Sequence, residues 1–201
     1  AETVTSIRRA VEAGLSVSVS TVITGCNAGH IGEVVDLALG LGARKIVFNR
    51  YIGLEQPGLS PTSVQLRFAV AHIETLHRQG FPVHFGSCIP QCFLPSSSTG
   101  CAAGIAFCTV DPWGNVRPCN HAPLRAGSLL NEPLEQIWRS PEMLRWRGMI
   151  PLQCTGCSQY TLCHGGCRAM AMIMHRDADP LVCSTLRRET EPVGGEVFSR
   201  A

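Results

Sequence analysis

Apolar residues recur at helical spacing over residues 3–14, where Ile7, Ala10, Val11 and Leu15 share a side and Gly14 stands at an expected left-handed C-cap. The period then changes to two. Over residues 16–24, Val17, Val19, Thr21 and Ile23 alternate with Ser18, Ser20, Val22 and Thr24, which predicts a β-branched strand with one polar face. Ile31, Val34, Val35, Ala38 and Leu41 return to the helical period, with Asn27 as the expected cap and Gly42 as the stop. Lys45–Arg50 reads as a second strand, and strand, helix, strand at this spacing predicts a right-handed crossover between parallel strands. Pro57-Gly58 marks a turn. Ser60-Pro61 is expected to open a helix that carries Leu66, Val70, Ile73 and Leu76 as far as Gly80, and residues 82–85 are a candidate third strand.

This alternation assigns residues 1–86 to the α/β class. Three strands with three helices are too few for a closed barrel and leave a sheet edge and a polar face to be covered. The expectation is a fragment, or a chain that completes itself on a partner. From residue 87 to 104 the composition shifts to Cys, Pro, Ser and Gly, the expected domain boundary. Beyond it the chain is loop-rich. Residues 109–116 predict a hairpin around Pro112-Trp113-Gly114-Asn115 that brings Cys108 and Cys119 together. Leu134, Ile137 and Trp138 suit a short helix, and Ser140-Pro141 opens another containing Leu144 and Met149. So small a core implies that metal contributes to the folding free energy of this half.

Composition narrows the function. With 45% hydrophobic and 16% charged residues the chain has a soluble globular profile, and a net charge of +2 offers no basic stripe for nucleic acid. No apolar run approaches the roughly 18 residues of a membrane span. Residue 1 is Ala rather than Met and no signal-peptide pattern follows, so the start reads as cut or processed and the cytoplasm is the expected compartment. There, clustered cysteines more often hold metal or do redox chemistry than form disulfides, and a count of 11 is odd.

The cysteines carry the strongest pattern. Cys154, Cys157, Cys163 and Cys167 stand at C-x2-C-x5-C-x3-C spacing, assisted by Gly165-Gly166. Upstream lie Cys101-x6-Cys108 and Gly114-x4-Cys119, and downstream lies Cys183. Eight thiols suffice for two four-thiolate iron–sulfur centres, while tetrahedral zinc is the alternative for any four of them.

This arrangement of cysteines over about residues 101–183 resembles the SPASM domain of radical S-adenosylmethionine (SAM) enzymes that modify peptides and proteins. The resemblance implies two 4Fe-4S clusters, one on Cys101, Cys108, Cys119 and Cys167, the other on Cys154, Cys157, Cys163 and Cys183. Residues 1–86 similarly resemble the late units of the radical SAM partial barrel, which implies S-adenosylmethionine contacts at Thr24, Asn27, Asn49 and Tyr51. The implied domains are a barrel segment over 1–86, a linker over 87–100, the cluster domain over 101–190 and a tail over 191–201. The chain departs from the family in two ways. The C-x3-C-x2-C motif of radical SAM catalysis is absent from this sequence, Cys88-x3-Cys92 matching only its first half. Asn120 stands where sulfatase-maturing relatives carry Asp, and an amide cannot act as general base, which favours a cross-linking, cyclising or epimerising enzyme. The expected function is that of the C-terminal part of an enzyme acting on a precursor peptide or protein. The alternative is a non-catalytic iron–sulfur or zinc module that binds a peptide or partner protein.

Overall fold

The computed structural model describes residues 2–86, 88–94 and 100–182. Cys183, the end of the expected cluster domain and the expected tail lie outside the described residues.

The first half follows the hydrophobic pattern. It runs α1 (Glu2–Glu12), β1 (Ser18–Ile23), α2 (Ile31–Gly40), β2 (Lys45–Arg50), α3 (Ser63–Arg78) and β3 (Val83–Phe85). The strands form a parallel sheet in the order β1-β2-β3, with Ser18 opposite Lys45 and Ile46 opposite Val83. Ile23, Ile46, Phe48 and Val83 are buried against Ile31 and Val35 of α2 and Val70 and Ile73 of α3. The opposite face carries Ser18, Ser20, Val22 and Asn49, where the Asn49 amide donates to Ser20 Oγ at 3.0 Å. The helix stop at Gly42 takes the left-handed form, φ +86°. There the N–H groups of Gly42 and Ala43 reach back to the carbonyls of Leu39 and Ala38.

Two helix starts differ from the expectation. Asn27 does not cap α2, whose N-cap is His30; its side chain instead accepts the N–H of Thr24 and donates to the Val22 carbonyl, each at 2.8 Å. A short polar side chain this near the strand end closes the local turn before it can reach the helix. At α3 the cap is Thr62 rather than Ser60, because Thr62 and Gln65 form a reciprocal capping box that satisfies two backbone donors.

The second half holds an antiparallel sheet of β4 (Thr109–Val110), β5 (Asn115–Arg117) and β6 (Gly127–Ser128). The helices α4 (Leu134–Trp138), α5 (Pro141–Arg147), α6 (Tyr160–Cys163) and α7 (Arg168–Ile173) follow, with a 3-10 turn at Leu152–Cys154. Ser140 caps α5 with Pro141 in its first turn, as the sequence suggests. Two small cores result. Val116, Ala126, Ile137 and Met143 form one, and Trp146 with Ala103, Cys119, Cys167 and Met170 forms the other.

The halves are tied by chain returning to the first core. Ile89, Phe93 and Leu181 are buried with the sheet and its helices. Arg50, at the end of β2, makes a bidentate bond to Asp179, 129 residues away, at 2.7 and 3.0 Å. Asp179 also accepts the N–H of Cys167 at 2.7 Å and of Leu181 at 3.0 Å. Among the described residues no helix is long and apolar enough to cross a membrane.

Candidate metal centres and the adjoining cavity

Local backbone conformation sets the positions of the thiols. Cys119 follows β5, while Cys167 precedes α7 and its sulfur accepts the N–H of Met170. Between them His164, Gly165 and Gly166 all take positive φ, at 56°, 77° and 81°. A Cβ on Gly165 would stand 2.8 Å from Pro151, and one on Gly166 would stand 2.8 Å from Asp179, so both space and conformation demand glycine here. His164 pins this turn to the upstream cysteine, its Nδ1 lying 2.9 Å from the Cys101 carbonyl.

Thiols gather at two cavities. The larger, about 680 Å³, is lined by Cys88, Cys101, Cys119 and Cys167 together with Thr24, Asn49 and Tyr51 from the strand ends. The smaller, about 330 Å³, is lined by Cys92, Cys154, Cys157 and Cys163, together with Val182, the residue before Cys183. Cys108 lines neither. It is half-buried against Val116, Ala126, Ile137 and Met143. Asn27 lies outside the larger cavity, engaged in its turn. Asn120 and His121 line that cavity directly after Cys119.

The electrostatics favour an anionic guest at the larger cavity. The Cys88 thiol donates to the sulfur of Cys101, raising Cys88 and lowering Cys101. Burial pushes Cys167 up to about 11, against the pull of Arg50, and raises Cys119 as well. Arg168 is 4% exposed, and its Nε and Nη1 have no hydrogen-bond partner among the described residues. Its charge acts on Cys101, and that of Arg50 on Cys167 and Cys88. Two buried cations therefore face these thiols, with Asp179 as the one buried carboxylate beside them among the described residues. Burying an uncompensated guanidinium costs several kcal/mol, so its retention here fits a negatively charged group such as a thiolate-ligated iron–sulfur cluster.

The donor set agrees with that fit. Among the described residues no three Cys, His, Asp or Glu side chains converge as ligands of one metal ion. Cys88, Cys101, Cys119 and Cys167 all line the larger cavity, the number of thiols that a four-thiolate cluster takes.

A parallel β/α sheet whose strand ends open onto a glycine-turned thiol domain is an architecture that this chain shares with known proteins. More particularly, residues 101–168 match the SPASM family, an iron-sulfur cluster-binding domain. The chain is 31% identical over 185 residues to a PqqA peptide cyclase of Methylocella silvestris, covering 83% of this chain and 48% of that protein. It is 27% identical to an AdoMet-dependent heme synthase of Nitratidesulfovibrio vulgaris, covering 90% and 57%. In fold it is similar to Streptococcus suis SuiB bound to S-adenosylmethionine, with TM-score 0.67 and 15% identity over 90% of this chain and 48% of that one. It is also similar to anSMEcpe with bound AdoMet, with TM-score 0.61 and 16% identity over 89% and 55%. The chain thus spans about half the length of the relatives it matches.

Sequence reasoning missed two placements. Cys88 and Cys92 stood out by their C-x3-C spacing and their place beside the first expected cluster but were given no role, and the Arg50–Asp179 pair gave no signal at all.

Proposed function

We propose that this chain forms part of the S-adenosylmethionine site and the auxiliary-cluster domain of a radical SAM/SPASM enzyme, cytoplasmic, that modifies a ribosomally made peptide. The observation that carries this reading is the shared cavity, where strand-end residues Thr24, Asn49 and Tyr51 face the thiols of Cys101, Cys119 and Cys167. We read residues 1–86 as barrel segment, 87–100 as linker, 101–190 as cluster domain and 191–201 as tail. Two 4Fe-4S clusters are the stoichiometry that the eight signature thiols support. Such clusters supply electron relay or substrate contact when bound.

This chain's residues hold and orient. The sheet end fixes Asn49 through Ser20, and the hydroxyl of Tyr51 is held by the Leu54 carbonyl at 3.0 Å, so both reach the cavity with restricted rotamers. The Arg50–Asp179 tie and the Cys167 N–H bond keep the thiol turn against the strand ends. Asn120 lines the cavity as a neutral amide and takes no proton, which supports cross-linking or cyclisation over formylglycine formation. The name of the cyclase relatives supports the same reading.

Anaerobic reconstitution tests the proposal. About eight iron and eight sulfide per chain are expected, with broad absorption near 400 nm. Cys157→Ala and Cys119→Ala should each remove roughly half of the iron, from different centres. Stoichiometric zinc without sulfide, or iron unchanged in both variants, overturns it.

A further inference from the structure

We propose that Cys88 is the fourth thiolate of the first centre, beside Cys101, Cys119 and Cys167, in the position that the family resemblance gives to Cys108. The inference rests on the iron–sulfur reading above.

Geometry separates the two candidates. Cys108 directly precedes β4, packs into the core of Val116, Ala126, Ile137 and Met143, and does not line the larger cavity. Cys88 lines that cavity with the other three thiols, packs with them around Trp146, and hydrogen-bonds to Cys101. Reaching the same centre would require Cys108 to leave its apolar neighbours. Cys88 is already there.

The chain around Cys88 is held in place on several sides. The next residue, Ile89, is fully buried in the sheet core, as is Phe93, and the Arg67 guanidinium stands 4.2 Å above the Phe93 ring. Pro90 lies against the glycine turn, only 3.1 Å from where a Cβ on Gly166 would be. A ligand on so fixed a stretch loses little conformational freedom on binding, which favours it over a cysteine that must move.

Charge also selects this position. Arg50 interacts with Cys88 as well as Cys167, and Arg168 interacts with Cys101, so the two buried cations act on three of the four thiols named in the proposal. In ligation the Cys88 thiol gives its proton to solvent and a sulfur electron pair to iron. No oxidant or reductant is consumed.

The test compares the full chain with its Cys88→Ala and Cys108→Ala variants, each reconstituted anaerobically with iron and sulfide. Cys108→Ala should keep the full iron content and electron paramagnetic resonance spectrum. Cys88→Ala should lose about one to four iron, from a cluster reduced to three irons or lost altogether, with a changed spectrum. A Cys88→Ala protein with unchanged iron and spectrum overturns the proposal. Alkylation of the reconstituted wild type, mapped by mass spectrometry, decides the matter even if a variant fails to fold. Cys88 should resist labelling until iron is chelated, while Cys108 labels at one rate with or without iron; the reverse pattern overturns the proposal. Wild type that takes up no iron and sulfide overturns the cluster reading itself and this inference with it. Wild type that loads fully while Cys88 labels freely overturns this inference alone.

Discussion

Replacing Asp179 by alanine should destabilise the protein more than any surface change, because it strands a charge. Arg50 and Asp179 side chains are 3% and 0% exposed, and the carboxylate accepts both guanidinium nitrogens as well as the N–H groups of Cys167 and Leu181. Burial alone would lower the Arg50 pKa, and it takes the charge and hydrogen bonds of Asp179 together with the charges of Cys167 and Cys88 to raise it. A guanidinium is basic enough by itself to stay charged once its partner is gone. Removing one member of a buried pair costs about 3–5 kcal/mol, which for a chain of this length lowers the melting temperature by about 6–20 °C. Circular dichroism melts of wild type and variant, both loaded with iron, provide the measurement. The double variant Arg50→Met with Asp179→Leu separates causes, since an apolar pair of similar volume is often neutral or stabilising. It should recover the part of the loss due to the stranded charge, while the N–H groups of Cys167 and Leu181 remain without their acceptor. A shift under about 2 °C in the single variant would refute the reasoning, as would a double variant no more stable than the single.

Gly104→Ala should cost about 1–3 kcal/mol, because Gly104 has φ +69° and a Cβ there would lie 2.6 Å from Cδ1 of the fully buried Trp146. The indole N–H donates to the Ala103 carbonyl at 2.8 Å, so denaturation followed by tryptophan fluorescence reads the site directly; unchanged stability would mean that this loop yields freely. At the β4–β5 turn, the Asn115 side chain, with the N–H groups of Asn115 and Trp113, holds the Asp111 carboxyl below its ordinary range. A carboxyl lowered on folding stabilises above its unfolded pKa and loses that contribution as pH falls through the folded value. Urea midpoints should therefore drop on acidification below the ordinary carboxylate range, and Asp111→Asn should show a smaller drop; equal pH dependence would contradict this.

Much of the first half was legible because its signal is periodic. Lys45–Arg50 is the strand that the pattern predicts, and β1 lies inside the predicted 16–24. Helix starts were harder to read, since Asn27 and Ser60 are good caps by type and lost to local bonds that only coordinates reveal. The two-residue β6 has too few positions to show a period. At the site, the expected first set was Cys101, Cys108, Cys119 and Cys167, of which all but Cys108 line one cavity, while Cys154, Cys157 and Cys163 of the second set line another. Cys88 and Cys92 join them through packing of Ile89 and Phe93 into a distant core, a tertiary event with no local pattern. Arg50 and Asp179 likewise meet across 129 residues.

That pair also governs how anything gets in. Two halves joined by a desolvated bidentate contact, with Leu181 seated in the first core and Ile52 in the second, part only when most of the fold parts. Among the described residues, Phe107, Asn120 and His121 form exposed lining of the cavity, the rim, while the seam between the halves is buried. Backbone amides along the seam should exchange with solvent only as slowly as the molecule unfolds, and those of the rim far sooner.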